Sequence, residues 1–163
     1  MIILRRLNTA IAKWCIVRLA YQEVKMPINL TQVDGITIQK QHKLVCHCGA
    51  VEMLLDLPNG LQDVRRCDCS LCRRRGAIAA SIPLSGIKIT KGKEYLKLYQ
   101  FNTMEAKHYF CSECGIYTHH QRRSNPQQYG FNVACLDGIN PLKIGEVPTY
   151  DGVNHPRDRV QQT

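Results

Sequence analysis

Seven of the nine cysteines in this 163-residue chain fall into three tight clusters, and that spacing limits what the chain can fold into. Cys46-His47-Cys48 is a C-x-C, Cys67-Asp68-Cys69-Ser70-Leu71-Cys72 a C-x-C-x-x-C, and Cys111-Ser112-Glu113-Cys114 a C-x-x-C. Zinc takes a tetrahedral shell of thiolates, and short Cys-rich turns deliver two or three sulfurs with little loop strain. Two closed four-sulfur sites would need eight cysteines, and the clusters supply seven. One site can be saturated with sulfur, while the other holds three sulfurs and a vacancy. A closed site is structural, and a three-ligand site with an open position is where zinc does chemistry.

The simplest partition pairs the two outer clusters, Cys46, Cys48, Cys111 and Cys114, around a structural zinc. That leaves Cys67, Cys69 and Cys72 around a second, catalytic zinc. The first site would tie distant stretches of chain together, so its binding energy would be folding energy. His47, His119, His120, Cys135 and Asp68 are candidates for the fourth position of the second site, beside water or a substrate sulfur. Each has a plainer explanation. His47 between two ligands would point outward, Cys135 after an apolar stretch would be a buried free thiol, and His119-His120 would be surface residues, or one core-facing and one exposed.

The length suits one domain with a core that needs no disulfides. C-x-C pairs are too close for easy bridging, and the usual secretory signal is missing, so metal-bound thiolates in a reducing, cytoplasmic setting are expected. No apolar run approaches the roughly 20 residues that span a bilayer. The net charge of +9 is split. The first 26 residues hold Arg5, Arg6, Lys13, Arg18 and Lys25 against Glu23, and a second group, Arg65, Arg66, Arg73, Arg74 and Arg75, flanks the middle cysteines. This is not a continuous basic stripe, and nucleic acid is not the expected partner.

Residues 1–26, which include Trp14 and Cys15, lack Gly and Pro and read as a basic extension outside the fold, with Met26-Pro27 marking the start of a single domain over 27–163. A membrane-surface helix or an organellar presequence are the other readings of that segment. Beyond it the pattern is mostly β: short strands are expected at Ile36–Val45, Ala50–Leu57, Ala77–Ile82, Tyr95–Phe101, Lys107–Phe110, Ile116–His119 and Phe131–Leu136, separated by Pro/Gly/Asn breakers. The tail from Pro141 is expected to wrap the surface.

Five segments carry a family resemblance: Cys46-His47-Cys48-Gly49-Ala50-Val51, Cys67 to Arg74, Leu96 to Phe101, His108 to Gly115 and Asn132 to Asp137. In their order and spacing the chain resembles the glutathione-dependent formaldehyde-activating enzymes, whose eukaryotic relatives include centromere protein V. The resemblance implies an Mss4-like, zinc-stabilised β fold (a β-tent) with one structural and one catalytic zinc. It also implies carbon–sulfur lyase chemistry on a thiol adduct such as S-hydroxymethylglutathione, with glutathione as co-substrate and a small aldehyde as partner. Glutathione carries two carboxylates, and arginine binds carboxylate through a planar fork, so Arg73 and Arg74, directly after the last ligand, are the expected substrate-binding residues, with Arg75 beside them. On a strand, at most two of the three would face one pocket. The alternative function is a non-catalytic zinc module that binds nucleic acid or a protein through its basic surface.

Overall fold

The structure, a computed structural model, describes residues 27–155; the basic segment 1–26, with Trp14 and Cys15, and residues 156–163 lie outside the described residues. The described chain is mostly β, and its one α-helical turn is α1, Cys72–Arg75. Strands β1 (Ile28–Leu30), β2 (Gln32–Val33) and β3 (Ile36–Thr37) lead into β4 (Gln41–Val45) and β5 (Glu52–Asp56). Then come β6 (Leu61–Cys67), β7 (Ala79–Pro83), β8 (Ile87–Lys91) and β9 (Leu96–Tyr99). The last four are β10 (Lys107–Cys111), β11 (Tyr117–Gln121), β12 (Gln128–Asn132) and β13 (Thr149–Tyr150).

The larger sheet runs β1-β6-β7-β12-β11-β10-β9, and β13 joins it in parallel against β6. A second sheet has the order β4-β5-β8, and β2-β3 is a separate hairpin. Alternation explains the small sheet: β4 buries His42 and Leu44 and exposes Gln41 and Lys43, while β5 buries Met53 and Leu55. Leu44, Met53 and Leu55 share one core with Leu61 and Val64 of β6, Ile82 of β7 and Phe131 of β12, so the two sheets close on a common apolar interior. Four links cross between them near β4: the Leu44–Leu136 bridge, the Asp137 N–H bond to the Lys43 carbonyl (3.0 Å), the His42 Nε2 hydrogen bond with the Asp137 carbonyl (2.9 Å), and the outer cysteine clusters.

Two expected strands change shape. Ile36–Val45 is broken between Thr37 and Gln41 into β3 and β4. Phe131–Leu136 is strand only as far as Asn132, whose side chain accepts the Ala134 N–H (3.1 Å) and starts a 3₁₀ turn over Val133–Cys135. The longest strand, β6, was not anticipated. Its sequence, LQDVRRC, is polar, and its alternation is broken by a register shift between Gln62 and Arg65, with Asp63 at φ 52°. β8, with Ile87 and Ile89 alternating against Lys88 and Thr90, had a readable two-residue period and was missed.

Candidate metal centres and the arginine-lined cleft

The two outer cysteine clusters occupy hairpin turns built alike. Cys46 N–H bonds Val51 O (3.1 Å) and Gly49 N–H returns to Cys46 O (3.0 Å); Cys111 N–H bonds Ile116 O (2.9 Å) and Gly115 N–H returns to Cys111 O (2.8 Å). Each turn closes at a left-handed residue, Gly49 (φ 73°) or Gly115 (φ 72°), a conformation that glycine adopts without steric cost. The four sulfurs of Cys46, Cys48, Cys111 and Cys114 lie within 4.8 Å of one another, with Cys46–Cys48 at 3.6 Å and Cys48–Cys111 at 3.8 Å. A zinc–sulfur bond of about 2.3 Å gives tetrahedral S···S edges of about 3.8 Å. The donor set and its spacing fit a closed four-thiolate zinc site, and the Val51 N–H donates to Cys46 Sγ (3.2 Å) as it would to a thiolate.

Cys67 at the end of β6, Cys69 in the following turn and Cys72 at the start of α1 form the second group, again with sulfurs within 4.8 Å. Among the described residues no further His, Cys, Asp or Glu ligand atom joins them at that distance. Three soft sulfurs without a fourth protein donor fit a zinc site with one open coordination position. Hydrogen bonds from Cys67 and then Cys72 hold the Cys69 thiol well below the ordinary thiol range, against a smaller opposing effect of burial.

The other candidates for the fourth position are engaged elsewhere or face away. His47 is exposed. Asp68 Oδ1 accepts the N–H groups of Gly152 (2.7 Å) and Val153 (3.3 Å), so it anchors the chain that follows β13. Cys135 is buried, accepts from Asn132 Nδ2 (3.4 Å), and burial pushes its thiol up to about 12. His119 and His120 are not surface residues. His119 is 4% exposed, stacked on Tyr109 (4.6 Å between centroids) and edge-on to Tyr129 (5.2 Å). His120, on the opposite face of β11, lines the cleft, stacks on His108 (5.2 Å) and pairs through Nδ1 with the Tyr117 hydroxyl (2.5 Å). Adjacent strand residues point to opposite faces, which gives the two histidines such different surroundings, while a register shift against β10 brings Tyr117 onto the cleft side with His120.

Burial holds His119 down at about 4, against an ordinary value near 6.5. A histidine that the fold keeps neutral favours folding above its unfolded pKa, and that contribution is lost as pH falls from about 6.5 to about 4, up to about 3 kcal/mol in all. In urea titrations at pH 7 and pH 4.5, the wild-type midpoint is expected to fall more than that of His119→Phe. Equal falls would show that His119 titrates freely in the folded state.

The three-sulfur group opens on a cleft of about 1190 Å³. Among the described residues six arginines line it, Arg65, Arg66, Arg73, Arg75, Arg122 and Arg123, together with a single carboxylate-bearing residue, Asp151. Arg73, Arg74 and Arg75 lie on the turn of α1 and not on a strand. Arg73 reaches the cleft; Arg74 is exposed, donates from Nη1 to Ser70 O (2.6 Å) and is not part of the lining. Arg75 is held in place, with Nη1 donating to His108 Nδ1 (3.1 Å) and its guanidinium 4.4 Å above the Tyr117 ring. Arg122, His108 and Tyr117 are cleft residues that the sequence does not point to, because strand pairing, not sequence proximity, brings them there.

One wall of the cleft is a strap, Pro148–His155. Arg66 N–H bonds Pro148 O (2.8 Å), Asp68 N–H bonds Tyr150 O (3.3 Å), and the Tyr150 hydroxyl donates to Asp63 Oδ1 (2.7 Å). At Gly152 the strap passes so close to the sulfurs that a Cβ there would stand 2.4 Å from Cys67 Sγ and 2.8 Å from Cys69 Cβ. Gly152→Ala is therefore expected to push the strap off the three-sulfur group. Metal at that group should exchange faster with a chelator while the four-sulfur site keeps its own; unchanged exchange at both would contradict the close approach.

A β domain with one closed four-thiolate cluster and a three-thiolate cluster opening on a basic cleft belongs to the Mss4-like, zinc-stabilised class. A family model described as glutathione-dependent formaldehyde-activating enzyme matches residues 41–147. The chain is also similar to the crystal structure of a Rhodobacter sphaeroides protein determined as a structural-genomics target, at 63% identity and a TM-score of 0.64, covering 66% of this chain and 99% of that one. This chain belongs to the glutathione-dependent formaldehyde-activating enzyme family.

Proposed function

We propose that the protein is a zinc-dependent carbon–sulfur lyase that joins a thiol to a small aldehyde and splits the adduct, with S-hydroxymethylglutathione as substrate or product. The observation that carries this reading is the three-sulfur group at the floor of an arginine-lined cleft. Cys46, Cys48, Cys111 and Cys114 would hold a structural zinc, and Cys67, Cys69 and Cys72 a catalytic one. Zinc bound at the second group would supply a positive charge that favours the thiolate form of a substrate thiol.

The chain's own residues would do the rest. Arginines of the cleft, Arg73 and Arg75 among them, would bind the substrate's carboxylates and bring its sulfur to the floor. In the forward direction the thiol S–H bond breaks and a sulfur–carbon bond forms. The carbonyl π pair moves to oxygen, which then takes up a proton. Tyr117 and His120, linked at 2.5 Å, hold an exchangeable proton at the cleft wall where that oxygen would need one. The strap from Pro148 narrows access of water to the sulfurs. Arg74, which turns outward, would contribute only to the general positive field.

The reading includes a single domain from residue 27 onward with 1–26 as an upstream extension. It also includes a reducing, cytoplasmic setting, supported by eight free cysteines among the described residues. No helix among the described residues is long and apolar enough to cross a membrane. The test is magnetisation-exchange NMR with isotopically labelled formaldehyde and glutathione. The zinc-loaded protein is expected to speed exchange between free aldehyde and adduct well above the uncatalysed rate. An unchanged rate at two zincs per chain would overturn the lyase reading.

A further inference from the structure

Two of the six cleft arginines are unlike the rest. Arg65 lies on β6 and Arg122 directly follows β11, yet their side chains are only 7% and 12% exposed and both border the cleft. They converge on one anchor. Arg65 Nη1 donates to Asp63 Oδ2 (2.8 Å) and Ser81 Oγ (2.7 Å); Arg122 Nη1 donates to the same Oδ2 (2.9 Å), the same Oγ (2.6 Å) and Gln128 Oε1 (2.8 Å).

Asp63 is itself fixed from three sides. Its backbone is left-handed (φ 52°), its N–H bonds Asn29 Oδ1 (2.9 Å), and its second carboxylate oxygen takes the Tyr150 hydroxyl of the strap (2.7 Å). Among the described residues a single carboxylate, Asp63, pairs with these two buried guanidiniums, which leaves one positive charge over in a poorly solvated wall. Burying such a charge is costly unless an anion meets it. Burial, and then the Arg122 charge, both act against the protonated form of Arg65. Each guanidinium uses one nitrogen on the anchor, and each carries five donors in a planar fork suited to a second carboxylate.

We propose that Arg65 and Arg122 form a carboxylate-binding subsite in the cleft wall, with Asp63 as its positioning residue, that takes one carboxylate of a peptide-like thiol. The thiol as ligand class rests on the lyase reading; the subsite itself rests on the charge and geometry of this pair. It differs from the arginines beside the last cysteine, since it is preorganised by strand pairing and buried hydrogen bonds. The preference it creates is for thiols that carry a carboxylate over equally reactive neutral thiols.

The test is calorimetric binding of γ-glutamyl-alanyl-glycine, a tripeptide without sulfur, to the full zinc-loaded chain and to Arg122→Gln and Arg122→Lys. Arg122 is chosen because it is less buried than Arg65. Arg122→Gln is expected to weaken tripeptide binding by about 10- to 100-fold, the loss of one charge-assisted pair. Arg122→Lys should recover part of that, having the charge without the fork. The tripeptide with both carboxylates amidated should bind wild type and Arg122→Gln alike. Failure of wild type to bind the tripeptide, equal affinity of wild type and Arg122→Gln, or an equal loss for the diamide would each overturn the subsite. Arg122-dependent tripeptide binding in a protein with no aldehyde exchange would uphold the subsite and defeat the lyase reading. Exchange activity with Arg122-independent affinity would do the reverse.

Discussion

Cys114→Ser is expected to yield a chain that does not reach the native state. Cys114 sits in the turn between β10 and β11, and its sulfur lies within 4.8 Å of those of Cys46, Cys48 and Cys111. Those four residues join the end of β4 in the small sheet to the end of β10 in the large one. A structural thiolate zinc contributes on the order of 10–16 kcal/mol of apparent binding energy, and whole-domain stability is about 5–15 kcal/mol. Serine offers a hard oxygen that stays protonated at neutral pH, so losing this ligand removes a contribution as large as the entire margin. The expected outcome is insoluble protein, or soluble protein without cooperative thermal unfolding. A soluble variant that melts cooperatively near the wild-type temperature would show that the outer clusters do not hold a structural metal.

Cys69→Ser should have the opposite character. Cys69 is half-buried at the cleft floor, in a turn between β6 and α1, and no part of the common apolar core rests on it. The fold is expected to survive, with zinc falling from two to one per chain by elemental analysis. Aldehyde exchange should fall by about 10³-fold or more, since the activated thiol and its positioning go together. Retained exchange with the second zinc gone would remove Cys67, Cys69 and Cys72 from the chemistry. The two serine variants form a pair: one loses the fold, the other loses the reaction and keeps the fold.

How much of this could be read from residues alone differs by element. The strands at β10 and β11 declare themselves through aromatic residues among polar partners, and β5 and β7 through short apolar runs between breakers, because one face of each meets a core. β6 does not, since charged residues fall on both its faces, Arg65 buried and Arg66 exposed, and a bulge at Asp63 breaks the period. The histidine pair shows the same limit. Burial of His119 and the cleft position of His120 depend on which face of β11 the neighbouring strands cover, and that is set by pairing with β10 and β12. The arginines show it most sharply. Proximity to the last cysteine points to Arg73 and Arg74, yet Arg74 turns outward on α1, and the buried cationic pair that shares Asp63 comes from residues 57 positions apart.

The sequence by itself determined which cysteines could group around a metal and the broad architecture. Sulfur count and spacing are local properties, and a C-x-C or C-x-x-C turn offers the same ligand geometry wherever the chain places it. The mainly β character followed from short apolar periods between breakers. Only the tertiary structure decided which charges meet. The Asp63 anchor for Arg65 and Arg122, the strap that brings Gly152 against Cys67, and the Tyr117–His120 pair at the cleft wall join residues far apart in the chain or set on particular strand faces. Such juxtapositions arise from strand register, and register is fixed by the packing of the whole interior, which no short segment contains.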